Sequence, residues 1–124
     1  MSAISNAGLK ELSKAYQAFA YIALDGSDTA YDVSQTAPIS ELDTNGAGRK
    51  LGTATHDSST GTVTISTQFT FTGAAAVRAV CFLNAASGGV MLSRYVPASG
   101  TLPSAFDDGG SLLVEATATL SRPA

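Results

Sequence analysis

The sequence predicts a mainly β protein, an antiparallel sandwich or small barrel of about six strands with one short N-terminal helix. Three observations predict it. First, residues 62–72 alternate, with Val63, Ile65, Thr67, Phe69 and Phe71 at odd positions and Thr62, Thr64, Ser66, Gln68, Thr70 and Thr72 at even ones. Successive side chains on a strand face opposite ways, so this segment has one apolar face and one hydroxyl-rich face. Second, polar, glycine-bearing turns at residues 57–61 and 85–89 each separate two strand-like runs, the pattern of hairpins. Third, helical spacing of apolar residues occurs only near the N-terminus.

In chain order, Ser5 and Asn6 offer N-cap oxygens, and Leu9, Leu12, Ala15 and Tyr16 follow at spacings of three and four. Lys10, Glu11, Ser13 and Lys14 fall opposite them, so residues 7–17 are predicted to form a short amphipathic helix. Residues 18–24 form a continuous apolar run stopped by Asp25 and Gly26. Phe19 and Tyr21 favour a buried strand there over a continued helix. Residues 25–48 are irregular, punctuated by Gly26, Pro38, Gly46 and Gly48. Short segments at 30–33 and 39–42, or an arm reaching a neighbouring subunit, would account for that length.

Residues 49–56 read as one strand, joined by the first turn to 62–72. Residues 76–84 and 90–96 form the second hairpin. Residues 97–110 are a polar loop, and residues 111–120 alternate again, with Leu112, Val114, Ala116, Ala118 and Leu120 on one face. Residues 122–124 are a tail. One domain spanning residues 1–124 is expected, its β core at 49–120, with no internal repeat.

The bulk composition agrees with this. A chain of 124 residues can support a core without disulfides or metals, burying roughly two-thirds of its unfolded surface. Charged residues are 14% of the chain, against about 25% in an average globular protein. A coat of Thr and Ser explains this deficit, and so does a surface packed against other subunits. The seven Lys and Arg residues are scattered and the formal net charge is −3, so neither nucleic acid nor a membrane surface is an expected partner. No signal peptide and no transmembrane run is read, which places synthesis in a cytoplasm. Cys81, the single cysteine, is expected to be a small buried hydrophobe.

Chemistry-bearing patterns are sparse. His56, the single histidine, lies beside Asp57 and near Ser58, Ser59 and Thr60. A Ser-His-Asp site needs such groups to converge in space, and adjacent residues at a hairpin turn point apart. His56 therefore reads as a surface residue. Asp25, Ser27, Asp28 and Asp32 resemble a calcium loop only in part, because the terminal Glu of that pattern is missing. Asp107, Asp108 and Gly109 read as a turn. The stretch at 44–49 carries Gly46 and Gly48 but no Gly-Lys-Ser/Thr ending. No catalytic residue, metal site or cofactor is expected, and the protein reads as a non-enzyme.

Phe69, Thr70, Phe71, Thr72 and Gly73, then Ala76 and Val77, then the run Phe82-Leu83-Asn84-Ala85-Ala86-Ser87-Gly88-Gly89-Val90-Met91-Leu92-Ser93-Arg94 carry a family resemblance. They resemble small structural proteins of tailed bacteriophages and their archaeal relatives, including tail-collar and tail-fibre attachment domains and head-surface accessory proteins. Asn6, Ala7 and Gly8 opening a helix are also similar. The family often has Glu and then Gly before its Phe-Asn, where this chain has Ala79 and Cys81, and Ser93 stands for its usual Ala.

The resemblance implies a non-enzymatic virion component, made in the host cytoplasm, that acts by subunit contact. Its expected partners are copies of itself, as a homo-oligomer such as a trimer, and other virion proteins. The shortness of the chain favours a free-standing accessory subunit, a capsid decoration or a tail-collar or fibre component, over a long fibre. The expected interface is the apolar helix face, with Leu9, Leu12 and Tyr16, and the irregular segment, with Tyr31, Ile39 and Leu42. The alternative is a carbohydrate- or receptor-binding sandwich, for which Tyr31 is the best exposed aromatic candidate.

Overall fold

The computed structural model describes residues 6–57, 61–97 and 106–119. One helix, α1 (Asn6–Gln17), precedes seven strands: β1 (Tyr21–Asp25), β2 (Lys50–Leu51), β3 (Thr53–Asp57), β4 (Thr62–Thr70), β5 (Ala79–Leu83), β6 (Met91–Tyr95) and β7 (Ser111–Thr119). Ser5, residues 58–60, residues 98–105, Leu120 and the tail at 122–124 lie outside the described residues. The strands make two antiparallel sheets, ordered β2-β1-β5-β6 and β3-β4-β7, in a sandwich that does not close into a barrel.

Two kinds of strand pattern become two kinds of sheet. On β4 and its extension Val63, Ile65, Phe69 and Phe71 are buried, while Gln68, Thr70 and Thr72 are exposed. On β7 Val114 is buried, and Leu113, Glu115 and Thr117 face outward. The three-stranded sheet thus has one dry and one wet face, which is what alternation encodes. Every residue of β5 is buried, and so are four of the five in β1. These continuous apolar runs mark a sheet covered on both faces. Its inner face, with Ile22, Leu24, Val80 and Phe82, meets Val63, Ile65, Phe69 and Val114 of the opposing sheet in the main core. Its outer face carries a second cluster of Ala23, Cys81, Leu83 and Met91.

The run at 49–56 is not one strand. It divides at Gly52, where β2 pairs with β1 in one sheet and β3 with β4 in the other. The Gly52 amide donates to the Ala20 carbonyl at 2.8 Å. A Cβ there would lie 2.9 Å from the Ser66 carbonyl oxygen and 3.1 Å from that of Ala20, so the chain crosses between the sheets where only glycine fits. This crossing brings β2 and β3 to one side of the sandwich and leaves β6 and β7 as edge strands on the other. Among the described residues the strands therefore number seven, the split at Gly52 adding one to the expected six or so.

The irregular segment also has an order of its own. Glu41 bridges to Asp25, Gly26 donates to the Ser40 carbonyl, and Leu42 to that of Leu24, so residues 40–42 run along the edge of β1. Ala47 is fully buried in the main core. Asn45 (φ 56°) and Gly46 (φ 82°) turn the chain tightly against the end of β4. A side chain at Gly46 would collide with the Thr70 carbonyl, and Asn45 Nδ2 donates to the Ala74 carbonyl at 2.8 Å. Gly46 thus serves a close backbone contact.

Phe69 has no exposed surface, sits in the middle of the main core and lies 5.5 Å beneath the Lys50 ammonium. Phe69→Ala is expected to cost about 3–5 kcal/mol by chemical denaturation. A cost under about 1 kcal/mol would contradict its place in the core.

Candidate functional site

The outer face of the four-stranded sheet holds the most concentrated polar chemistry among the described residues. Asp25 ends β1 and Arg94 lies on β6; register places both on the face of Ala23 and Cys81. Asp25 is 0% exposed and Arg94 is 5% exposed. Arg94 Nη1 donates to Asp25 Oδ2 at 2.5 Å. The same carboxylate accepts three backbone N–H groups: Ser27 at 2.8 Å and Ser40 at 3.0 Å on Oδ1, and Ile39 at 2.7 Å on Oδ2. Arg94 also donates to the carbonyls of Ser27, at 2.6 Å from Nη2, and Thr29, at 3.2 Å from Nε. Both ions are therefore satisfied, which makes them tolerable in a dry place.

Burial alone would raise the Asp25 pKa. The bonds from the Ser27 and Ile39 amides, the Arg94 guanidinium and the Ser40 amide outweigh it and hold the carboxyl below its ordinary value. Cys81 sits against the guanidinium, 3.8 Å from Nη1. Burial pushes its thiol up to about 11, although Arg94 opposes the shift, so Cys81 is a thiol in a dry pocket rather than a nucleophile.

A second arginine ties down the neighbouring turn. Arg49 meets Glu41 in a two-pronged pair, Nη2 to Oε1 at 2.7 Å and Nε to Oε2 at 2.9 Å. Its Nη1 donates to the carbonyls of Ala85 and Gly88, at 2.8 and 3.0 Å. The bond to Glu41 raises the Arg49 pKa. Asn84 Oδ1 accepts from the Val90 amide at 2.7 Å and closes the same turn. The arginines thus fasten the 25–49 segment and the β5–β6 turn over one sheet face.

The other feature is a groove of about 530 Å³ between β6 and β7. Its walls include Val80 and Phe82 from β5, Tyr95 from β6, and Leu112 and Val114 from β7. Neither β6 nor β7 has a strand partner on its outward edge among the described residues. Tyr95 and Leu113 stand on these edge strands at 63% and 67% exposure. The groove therefore combines apolar walls with two strand edges that are unpaired among the described residues.

The expected chemistry is redistributed by these contacts. Asp25 is no calcium ligand, because its carboxylate is fully engaged by the guanidinium and three amides. His56 is not a surface residue. Pairing with Val63 turns it to the core side of β3, half-buried beside Ala54, while Asp57 faces out. Its Nε2 is shielded from solvent and without a hydrogen-bond partner among the described residues.

Of the expected interface residues, Tyr16 and Leu42 pack against the protein's own main core. Leu12, Tyr31 and Ile39 are exposed. Leu9 lies in α1, with its side chain outside the described part. In the sequence Asp25 stands out only as the stop of an apolar run and in a partial calcium pattern, and Arg94 only within the resembling stretch, although a carboxylate closing one apolar run and an arginine inside a strand are unusual enough to flag a pair.

Compared with known families, curated proteins and solved structures, the chain matches none.

Arg94→Ala should cost about 3–5 kcal/mol, because it strands a buried carboxylate. A simple buried pair is often replaced by apolar residues without loss. Here the double variant Asp25→Leu/Arg94→Met should stay destabilised, since the Ser27, Ile39 and Ser40 amides lose their acceptor. Full recovery of the denaturation midpoint would show that the amides do not need Asp25. The stability Asp25 contributes is present above the ordinary carboxylate pKa and is lost as pH falls through its lowered one.

Proposed function

We propose that the protein is a non-enzymatic structural subunit of a tailed-virus particle, an accessory protein on the particle surface that works through contacts with copies of itself and with other virion proteins. The observation that carries this reading is the apolar groove between β6 and β7, whose outward edges are unpaired among the described residues. Unpaired edges offer backbone hydrogen bonds to another chain, and natural proteins usually blunt or cover them. Here no Lys or Arg projects from the solvent-facing side of either strand, and Tyr95 and Leu113 stand exposed instead. An incoming strand would gain main-chain bonds from the edge and side-chain burial from the groove. The low charge content and the Phe69-to-Arg94 resemblance support the same reading. Capsid decoration and tail-collar or fibre attachment both suit such a subunit.

The alternative, a carbohydrate- or receptor-binding module, rests on Tyr31, which is exposed on the irregular segment. A glycan array that loses its signal on Tyr31→Ala would favour it.

Sedimentation of the wild-type chain and of Leu113→Asp tests the contact surface. A concentration-dependent oligomer that Leu113→Asp reduces to monomer, with an unchanged melting temperature, is expected. A wild-type chain that remains monomeric at high concentration would contradict self-association through the groove. Mass spectrometry and immunogold labelling of purified particles test the location; absence from intact particles would overturn the virion reading.

A further inference from the structure

Residues 27–39 form a strap between β1 and the edge stretch at 40–42. Their hydrogen bonds beyond the strap itself, among the described residues, all run to two side chains. Ser27 and Ile39 donate to Asp25, and the carbonyls of Ser27 and Thr29 accept from Arg94. The strap's other bonds are internal: Ser34 to Asp32, Thr29 and Ser27 to each other, and Gln35 to Asp32 and Ala30. None of its residues belongs to the main core, and Val33 is 90% exposed. On the sheet side lie Asp25, Arg94 and the buried Cys81.

We propose that this strap is an acid-releasable cover, latched to the outer face of the four-stranded sheet by the single carboxylate of Asp25. Protonating that carboxylate removes the counter-charge of Arg94, whose side chain is 0% exposed. An unpaired buried guanidinium is strongly unfavourable, and it regains solvation once water reaches it. Lifting the strap admits that water and frees the two strap amides that Asp25 had held. The sandwich beneath stays closed, because its inner core involves none of the strap. Release opens the Arg94 guanidinium to water and, beside it, the Cys81 thiol 3.8 Å from Nη1.

The charged and titratable groups facing the latch come from several elements. Arg94 lies on β6, Cys81 on β5, and the Glu41–Arg49 pair on the edge stretch and its continuation. Glu41 binds Arg49 rather than Arg94. Asp28 and Asp32 of the strap are exposed, and Asp32 accepts only from Ser34 and Gln35 within the strap. Hydrogen bonds hold the Asp25 carboxyl below its ordinary range, so the strap is closed at neutral pH and opens only in acid.

Cys81 reports the opening. A disulfide reagent that reacts in acid, 4,4′-dithiodipyridine, is applied to the full chain from about pH 7 to about pH 2, with far-UV circular dichroism followed in parallel. The expected result is a Cys81 rate that rises roughly ten-fold or more while the β signal is unchanged. Asp25→Asn, which cannot ionise, should show the raised rate already at neutral pH, whereas Glu41→Gln and Asp32→Asn should keep the wild-type pH profile. Should Asp25→Asn fail to fold, the wild-type titration decides. Reactivity that appears only where the β signal is lost would overturn the proposal, as would a profile that moves with Glu41→Gln instead.

Discussion

The bond between Asp25 and Arg94 joins residues 69 positions apart and sets the form of one half of the molecule. Its Coulombic attraction is not its main value, because taking two ions out of water costs about as much as their attraction returns. Its value lies in what else the two groups hold. The carboxylate gives an acceptor to three amides of an otherwise irregular segment, and the guanidinium gives donors to two of its carbonyls. A segment without regular structure has backbone groups that must find partners, and here two ionised side chains supply them.

That arrangement makes the two sheets unequal. The central strands β1 and β5 of the four-stranded sheet are buried on both faces, and Asp25 and Arg94 tie the returning segment to the outer one. The three-stranded sheet shows water a face of Thr, Ser and Gln. Gly52 ties the sheets together on one side, where the chain steps directly from β2 to β3. On the opposite side the tie is missing among the described residues, and the groove between β6 and β7 results. Among the described residues the sandwich is thus tied along one side and has unpaired edges along the other.

Much of this was legible in the sequence for a plain reason. Period-two alternation at 62–72 and 111–119 follows from one-sided burial, and the apolar stretches at 22–24 and 79–83 follow from two-sided burial. Both patterns depend on neighbours only through the face they meet. The division at Gly52 was hidden, because a strand that changes sheets keeps its strand-like composition; the glycine inside it was the available signal. His56 was misread for a related reason, since its side was set by register against Val63 rather than by its own turn-flanking position. The Asp25–Arg94 pair was hidden most deeply. Asp before Gly is ordinary turn chemistry, and only the fold shows that this carboxylate points inward to a distant arginine. The groove could not be read at all, because it arises from which edges the topology leaves unpaired.

Native-state hydrogen exchange at the Ser27, Ile39 and Ser40 amides measures the Asp25 anchor most directly. These amides lie at separate points of the segment but share one acceptor. They should exchange with one common protection, slower than the exposed strap amides, and should lose it together in Arg94→Lys while the β5 amides remain protected. Independent exchange at the rates of free loop amides, beside a protected β5, would contradict the account that this one carboxylate organises the segment.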